Sequence, residues 1–193
     1  MMPHLLFLLP WLIFASWAIF IGYWLVNVRR VKSTAVHEPL KSTLLNRLPT
    51  VAGGLLLLFP QLIPTLSEIR TPHGPIAIVF AVALCYVGLG IAIWARRTLA
   101  DNWSSVVMLK EGHELIESGP YRFVRHPIYT GILVMILGST VTVATAQGWL
   151  ALLLFFLGFV MRLRQEEALL MTHFGAEYPE YRKRVKALVP FVV

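Results

Sequence analysis

The chain has 193 residues, enough for one domain. Hydrophobic residues make up 57% and charged residues 14%, against about 45–50% and about 25% in soluble domains, and the mean hydropathy is +0.69. This excludes a disordered chain, a nucleic-acid-binding arm and an ordinary soluble enzyme, and the net charge of +7 reads as orientation charge beside membrane helices.

A membrane span needs about 20 apolar residues, and the sequence predicts five such helices. The first, Leu5–Val28, is uncharged and aromatic-rich. It lacks a basic segment before it and a small-residue cleavage site after it, so it is expected to stay as a span rather than to be cleaved as a signal peptide. The basic cluster Arg29, Arg30 and Lys32 follows it. The second span is predicted over Leu48–Leu66, with Pro60 and Pro64 near its far end. The third, Pro75–Ala95, is opened by a proline suited to a first helical turn. Gly53-Gly54 and Gly88/Gly90 are expected to be close-packing positions between helices. The only cysteine, Cys85, lies in the third span, so no intrachain disulfide can form.

The fourth span is predicted over Ile128–Ala146, opened by Pro127. The fifth begins near Gly148, stays apolar to Met161, and continues as a polar helix through Arg162–His173, with Gly175 suited to cap it. With alternating spans, sixteen of the seventeen basic residues fall on one side and only Arg70 on the other. That asymmetry predicts an external N-terminus and a cytoplasmic C-terminus. The polar segment 96–126 and the C-terminal tail are then cytoplasmic, which places any site for a water-soluble cofactor on that face. The expected architecture is an all-α, polytopic membrane bundle. A single domain over 1–193 carries three spans in 1–95 and the chemistry-bearing part in 96–193.

From Gly148 to Met161 there are 14 residues, about 21 Å of helix, which is short of the roughly 30 Å hydrocarbon core. Arg162 is therefore expected below the membrane surface, on the same helix face as Glu166. Alone, such an arginine reads as a snorkelling residue with a surface ion pair. The continuation Arg164, Glu166, Glu167 argues for more. A short connection makes spans four and five an antiparallel hairpin, in which residues lie level when their numbers sum to about 295. Glu166 is then beside Tyr129, Arg162 beside Leu133, and Leu169 beside His126. The start of the fourth span, with its free N–H groups and positive dipole end, suits an anionic ligand group. Pro127 holds His126 out of helical conformation. His126 by itself reads as a packed, hydrogen-bonded residue, and His113 and His173 are isolated. No metal is expected. Gly88-Leu89-Gly90 lies inside a span and is not a dinucleotide loop, and no Rossmann fingerprint occurs.

The run Gly119-Pro120-Tyr121-Arg122-Phe123-Val124-Arg125-His126-Pro127-Ile128-Tyr129-Thr130-Gly131 resembles the isoprenylcysteine carboxyl methyltransferases, a family of integral-membrane enzymes. So do His113-Glu114-Leu115-Ile116 before it and Arg162, Glu166-Glu167, Phe174-Gly175-Ala176-Glu177-Tyr178-Pro179-Glu180-Tyr181 and Val189-Pro190-Phe191 after it. The resemblance covers about residues 96–192. It implies S-adenosyl-L-methionine as cofactor at the cytoplasmic face, contacted by His113, Glu114, Leu115, Ile116, Tyr121, His126, Pro127, Ile128, Tyr129 and Glu166. It further implies a catalytic set of Arg162, Glu166 and Glu167, with Arg162 binding the substrate carboxylate. The acceptor would be a lipophilic, isoprenylcysteine-like carboxylate entering from the bilayer; in a bacterium the membrane would be the inner one. Phospholipid or lipid amine N-methyltransferases and NADPH-dependent membrane reductases share the Arg-His-Pro-x-Tyr-x-Gly pattern more loosely and are the alternatives. An amine acceptor would need a base, and Arg162 facing it would not help.

Overall fold

A computed structural model describes residues 3–28, 40–71, 74–100 and 115–190. Among these the secondary structure is helical, with only two isolated β-bridges. Helix α1 is Pro3–Val28, α2 Leu40–Leu58, α3 Pro64–Glu68, α4 Pro75–Leu99, α5 Pro127–Val143, α6 Ala146–Phe174 and α7 Glu177–Arg184. Single 3-10 turns occupy Pro60–Leu62 and Gly119–Arg122. Proline stands in the first turn of α3, α4 and α5, where its missing N–H is not needed and its fixed φ suits a helix start.

Among the described residues, three helices are long and apolar enough to cross a membrane: Leu8–Asn27 of α1, Pro75–Leu99 and Ala146–Phe174. Arg47–Leu58 and Pro127–Val143 are shorter apolar helices. The second predicted span is thus not one helix. The α2 helix ends at Leu58, and Pro60 and Pro64 each restart the chain in a short piece, because a proline in a helix interior would leave a carbonyl without its donor. Gln147, 1% exposed near the start of α6, takes up the polar groups this break releases. Its amide nitrogen donates to the carbonyls of Leu56 (2.7 Å) and Phe59 (3.0 Å). Its oxygen accepts from the Ile63 amide (3.1 Å) and the Ser67 hydroxyl (3.0 Å).

Helix α4 packs along α5, and α2 along α6, with α1 against α4. The α4–α5 approach is close. A Cβ built on Gly131 would stand 2.6 Å from the Gly88 carbonyl oxygen and 2.8 Å from the Ala92 amide nitrogen. Gly88 is therefore the packing position expected of it, whereas Gly90 faces open space. Cys85 and Met135 are buried at this interface, and Trp17 of α1 donates to Ser139 at 3.0 Å.

The hairpin predicted between the fourth and fifth spans is present, but its turn comes earlier. Helix α5 ends at Val143, with Ala144 in left-handed conformation (φ 52°, ψ 42°) and its amide bonded to the Thr140 carbonyl. Thr145 then caps α6, its hydroxyl accepting from the Gly148 amide at 3.2 Å. At the far end of α6, Gly175 (φ 51°) stops the helix as expected. The chain returns through α7 and lays residues 185–188 beside the start of α5.

Candidate active site at the start of α5

The site forms where the N-terminal end of α5 meets the charged turn of α6. Pro127 opens α5, and the residue before it, His126, adopts φ −124° and ψ 59°, outside the helical region as a pre-proline residue should be. The His126 ring is thereby aimed at α6 instead of along α5. It is 7% exposed. One ring nitrogen, Nε2, lies 3.2 Å from Glu167 Oε1 and the other, Nδ1, 3.6 Å from Glu166 Oε2. Burial works against a charged imidazole here, but hydrogen bonding and attraction to both glutamates prevail and lift His126 above its ordinary value. Only the protonated ring can donate to both carboxylates at once.

One turn into α5, the Tyr129 ring stacks on Phe159 (4.9 Å between centroids) and near His126 (5.8 Å). Its hydroxyl donates to Glu166 Oε1 and accepts from Arg162 Nε at 2.8 Å. Arg162 Nε also lies 3.2 Å from Glu166 Oε1. Arg162 and Glu166 keep 26% and 23% of their side chains exposed, so both can meet a ligand. The level rule holds for Tyr129 and Glu166, and Leu133 packs with Leu163 beside Arg162; the Arg162 side chain reaches Tyr129, and the His126 ring reaches Glu166 and Glu167. The long arginine turns toward the polar end of α6.

The neighbouring residue Glu167 is 5% exposed. Its Oε1 receives Arg125 Nη2 at 2.6 Å and Nε at 2.8 Å besides His126, and its Oε2 lies 3.5 Å from Arg182 Nε. The remaining Arg125 terminal nitrogen, Nη1, donates to the carbonyls of Val185 and Arg182. The backbone amides of Arg125 and His126 donate to the carbonyls of Lys186 (2.8 Å) and Ala187 (3.0 Å), and the Thr130 hydroxyl to that of Leu188 (2.7 Å). The two amides just ahead of α5 are thus satisfied by the C-terminal segment.

Other predicted contacts cluster nearby. Tyr121 is buried in the 3-10 turn, its carbonyl accepting from the Tyr181 hydroxyl at 2.6 Å, and it feels the charges of Glu166 and Arg96. Leu115 packs against Tyr178, Tyr181 and Val185. Ile116 and Ile128 are half-buried and Pro127 is fully buried. His113 and Glu114 lie outside the described residues. Among the described residues no three His, Cys, Asp or Glu side chains converge as metal ligands would. Sequence reasoning missed Arg125, Arg182 and the carbonyls of 185–188. The available signal was the pre-proline backbone, which is extended and must find partners for the amides of residues 125 and 126 outside its own helix.

Beyond Thr130 an apolar groove of about 410 Å³ runs between α5 and α6, lined by Leu133, Val134 and Leu137 on one side and Trp149, Leu152, Leu153 and Phe156 on the other, with Leu188 and Val189 at one end.

Residues 80–172 match the family model of the isoprenylcysteine carboxyl methyltransferase family. Over 157 residues the sequence is 30% identical to a protein of Oryza sativa subsp. japonica called a probable protein-S-isoprenylcysteine O-methyltransferase, covering 74% of this chain and 82% of that one. A protein-S-isoprenylcysteine O-methyltransferase of Schizosaccharomyces pombe is 32% identical over 133 residues, 64% of this chain and 56% of its own. Protein-S-isoprenylcysteine O-methyltransferase B of Arabidopsis thaliana is 36% identical over 116 residues, 58% and 59% of the two chains.

Proposed function

The chain belongs to the isoprenylcysteine carboxyl methyltransferase family, and on that premise we propose that it methylates the carboxylate of a lipophilic, isoprenylcysteine-like acceptor with S-adenosylmethionine. The observation that carries this reading is the Arg162–Tyr129–Glu166 group. It sets a guanidinium and a carboxylate, both part-exposed, side by side where α5 begins.

The donor set fits both reactants. A carboxylate, Glu166, suits the positive groups of the cofactor, and the aromatic faces of His126 and Tyr129 stand next to it. When bound, S-adenosylmethionine supplies a methyl on a positive sulfur that a carboxylate oxygen can take directly, the sulfur keeping the bond's electrons. The protein need not move a proton, because the acceptor carboxylate is already nucleophilic. What it must do is orient and exclude water. Arg162 can present a planar fork to that carboxylate. Tyr129 braces both Arg162 and Glu166. Glu167, buried under Arg125 and His126, serves this set from behind. Of the other cofactor contacts we assign Leu115, Ile116, Tyr121, Pro127 and Ile128 to the wall, and the family resemblance adds His113 and Glu114 as contacts. The apolar groove between α5 and α6 supports entry of the acceptor's lipid part from the bilayer.

We further propose five spans, with Arg47–Leu58 and Pro127–Val143 added to the three long helices. The N-terminus is then external, and the site faces the cytoplasm, as the distribution of basic residues favours. The domain is a single unit over 1–193. The decisive experiment is methyl transfer from radiolabelled S-adenosylmethionine in membranes, comparing a farnesylated cysteine analogue with phosphatidylethanolamine. Base-labile label on the first and none on the second is expected. Label on the phospholipid alone makes this an amine methyltransferase, and binding of NADPH without S-adenosylhomocysteine makes it a reductase.

A further inference from the structure

Arg125 lies outside the Arg162–Tyr129–Glu166 group, yet its side chain is held from two directions. Its side chain is 7% exposed. Two nitrogens converge on Glu167 Oε1 at 2.6 and 2.8 Å, and the third donates to the carbonyls of Val185 and Arg182. The same Glu167 oxygen lies 3.2 Å from His126 Nε2, and His126 Nδ1 lies 3.6 Å from Glu166. An unbroken line of polar contacts therefore runs from the C-terminal segment through Arg125, Glu167 and His126 to Glu166. The backbone repeats the join, because the amides of Arg125 and His126 donate to the carbonyls of Lys186 and Ala187.

We infer that Arg125 is a positioning residue: with Glu167 it clasps residues 185–188 onto the start of α5, and so fixes the ring of His126 against Glu166. The clasp is read from these contacts, and its catalytic consequence rests on the methyltransferase reading. A guanidinium is required because one planar group must serve a carboxylate on α6 and two carbonyls around the end of α7 together. An ammonium of the same charge is a point donor on a flexible stem and cannot hold that span. Without the fork, the buried Glu167 keeps His126 and Arg182 as its partners, the imidazole is drawn toward it, and Glu166 loses a neighbour that holds its orientation.

The test uses the full chain in detergent or nanodiscs, as Arg125→Lys and Arg125→Gln. Three readouts are taken: amide hydrogen exchange of the ligand-free protein, titration with S-adenosylhomocysteine, and kcat and KM for a farnesylated cysteine analogue. In both variants the amides of positions 125 and 126 should exchange at least about tenfold faster, while those in the middle of α5 are unchanged. The dissociation constant for S-adenosylhomocysteine should rise by about tenfold or more, as loss of a charged hydrogen bond implies. The acceptor KM should stay within about twofold, because Arg162 is untouched. Should Arg125→Gln fail to fold, Arg125→Lys, which keeps the buried charge balanced, carries the test. Wild-type exchange in Arg125→Lys overturns the clasp. Faster exchange with wild-type ligand affinity and kcat overturns the positioning role. If the unmodified protein itself binds no S-adenosylhomocysteine, the methyltransferase reading falls, and the exchange measurement alone decides the clasp.

Discussion

Arg162 and Glu166 stand one turn apart on α6, with Arg162 Nε 3.2 Å from Glu166 Oε1, and the Tyr129 hydroxyl of α5 is bonded to both. Two opposite charges are thus held part-exposed by a neutral group that is donor to one and acceptor from the other. Removing either charge leaves the second with Tyr129 as a partner, so the two can be separated by experiment.

For Arg162, truncation to alanine should lower kcat/KM for the carboxylate acceptor by about a hundredfold, in line with loss of a charged hydrogen-bonding fork of up to about 3 kcal/mol. Affinity for S-adenosylhomocysteine should change little, because Tyr129 still donates to Glu166. Arg162→Lys should rescue poorly. Titration calorimetry beside steady-state kinetics checks this, and equal loss of cofactor affinity would show that Arg162 serves the cofactor.

For Glu166, replacement by glutamine should do the reverse. Binding of S-adenosylhomocysteine should weaken by about 1.5–3 kcal/mol if one charge-assisted hydrogen bond is lost. The acceptor KM should rise far less. The same titration reads the result, and unaltered affinity would remove Glu166 from the cofactor site.

Much of this arrangement was legible in the sequence. Pro75 and Pro127 marked two helix starts because a proline's constraints are local. The short connection before Gly148 brought Tyr129 level with Glu166 because helix rise is fixed. Two things were not legible, both because they depend on partners far along the chain. The second predicted span breaks at Pro60, and what makes the break tolerable is Gln147, more than eighty residues away. Arg125 looked like one more charge beside a membrane helix, since its partners Glu167 and Val185 come from α6 and the segment beyond α7.

Gln147 should be a stability position and not a catalytic one. Gln147→Leu keeps the volume but takes away the acceptor of the Ile63 amide and the donor to the Leu56 carbonyl, while the Phe59 carbonyl keeps the Leu62 amide and the Ser67 hydroxyl keeps the Ile63 carbonyl. Two backbone groups in an apolar surrounding then need new partners, and a loss of about 2–4 kcal/mol is expected. Thermal unfolding in detergent should show the drop, with turnover per folded molecule unchanged at low temperature. Gln147→Glu should be little better, because a carboxylate cannot donate to the Leu56 and Phe59 carbonyls.

The glycines of α4 and α5 offer a paired test of packing. Gly131→Ala places a methyl 2.6 Å from the Gly88 carbonyl oxygen and 2.8 Å from the Ala92 amide nitrogen. Backbone atoms cannot swing aside, so the helices must part, at about 1–3 kcal/mol. Gly90→Ala lies in open space on the same α4 helix and should be neutral or slightly stabilising, because alanine is the better helix former. Unfolding of the two variants side by side reads the difference, and an equal effect would mean that the α4–α5 approach is looser than these distances imply.

The last prediction concerns pH. His126 sits between Glu166 and Glu167 with Arg125, Arg162 and Arg182 around those carboxylates, and its folded-state proton affinity is raised. A raised value means that the folded protein holds the proton more tightly than the unfolded chain, whose imidazole titrates near about 6.5. The stabilisation is therefore complete below about 6.5 and is lost as pH rises through the folded value. Between pH 6 and 9 the melting temperature in detergent should fall, and the fall should be shallower in His126→Gln, which has no ring to titrate. Ring proton chemical shifts in the wild type should give a titration above the ordinary imidazole value. A shift below it would mean that burial outweighs the two carboxylates, and stability should then rise with pH only up to about the unfolded value near 6.5 and be flat above it.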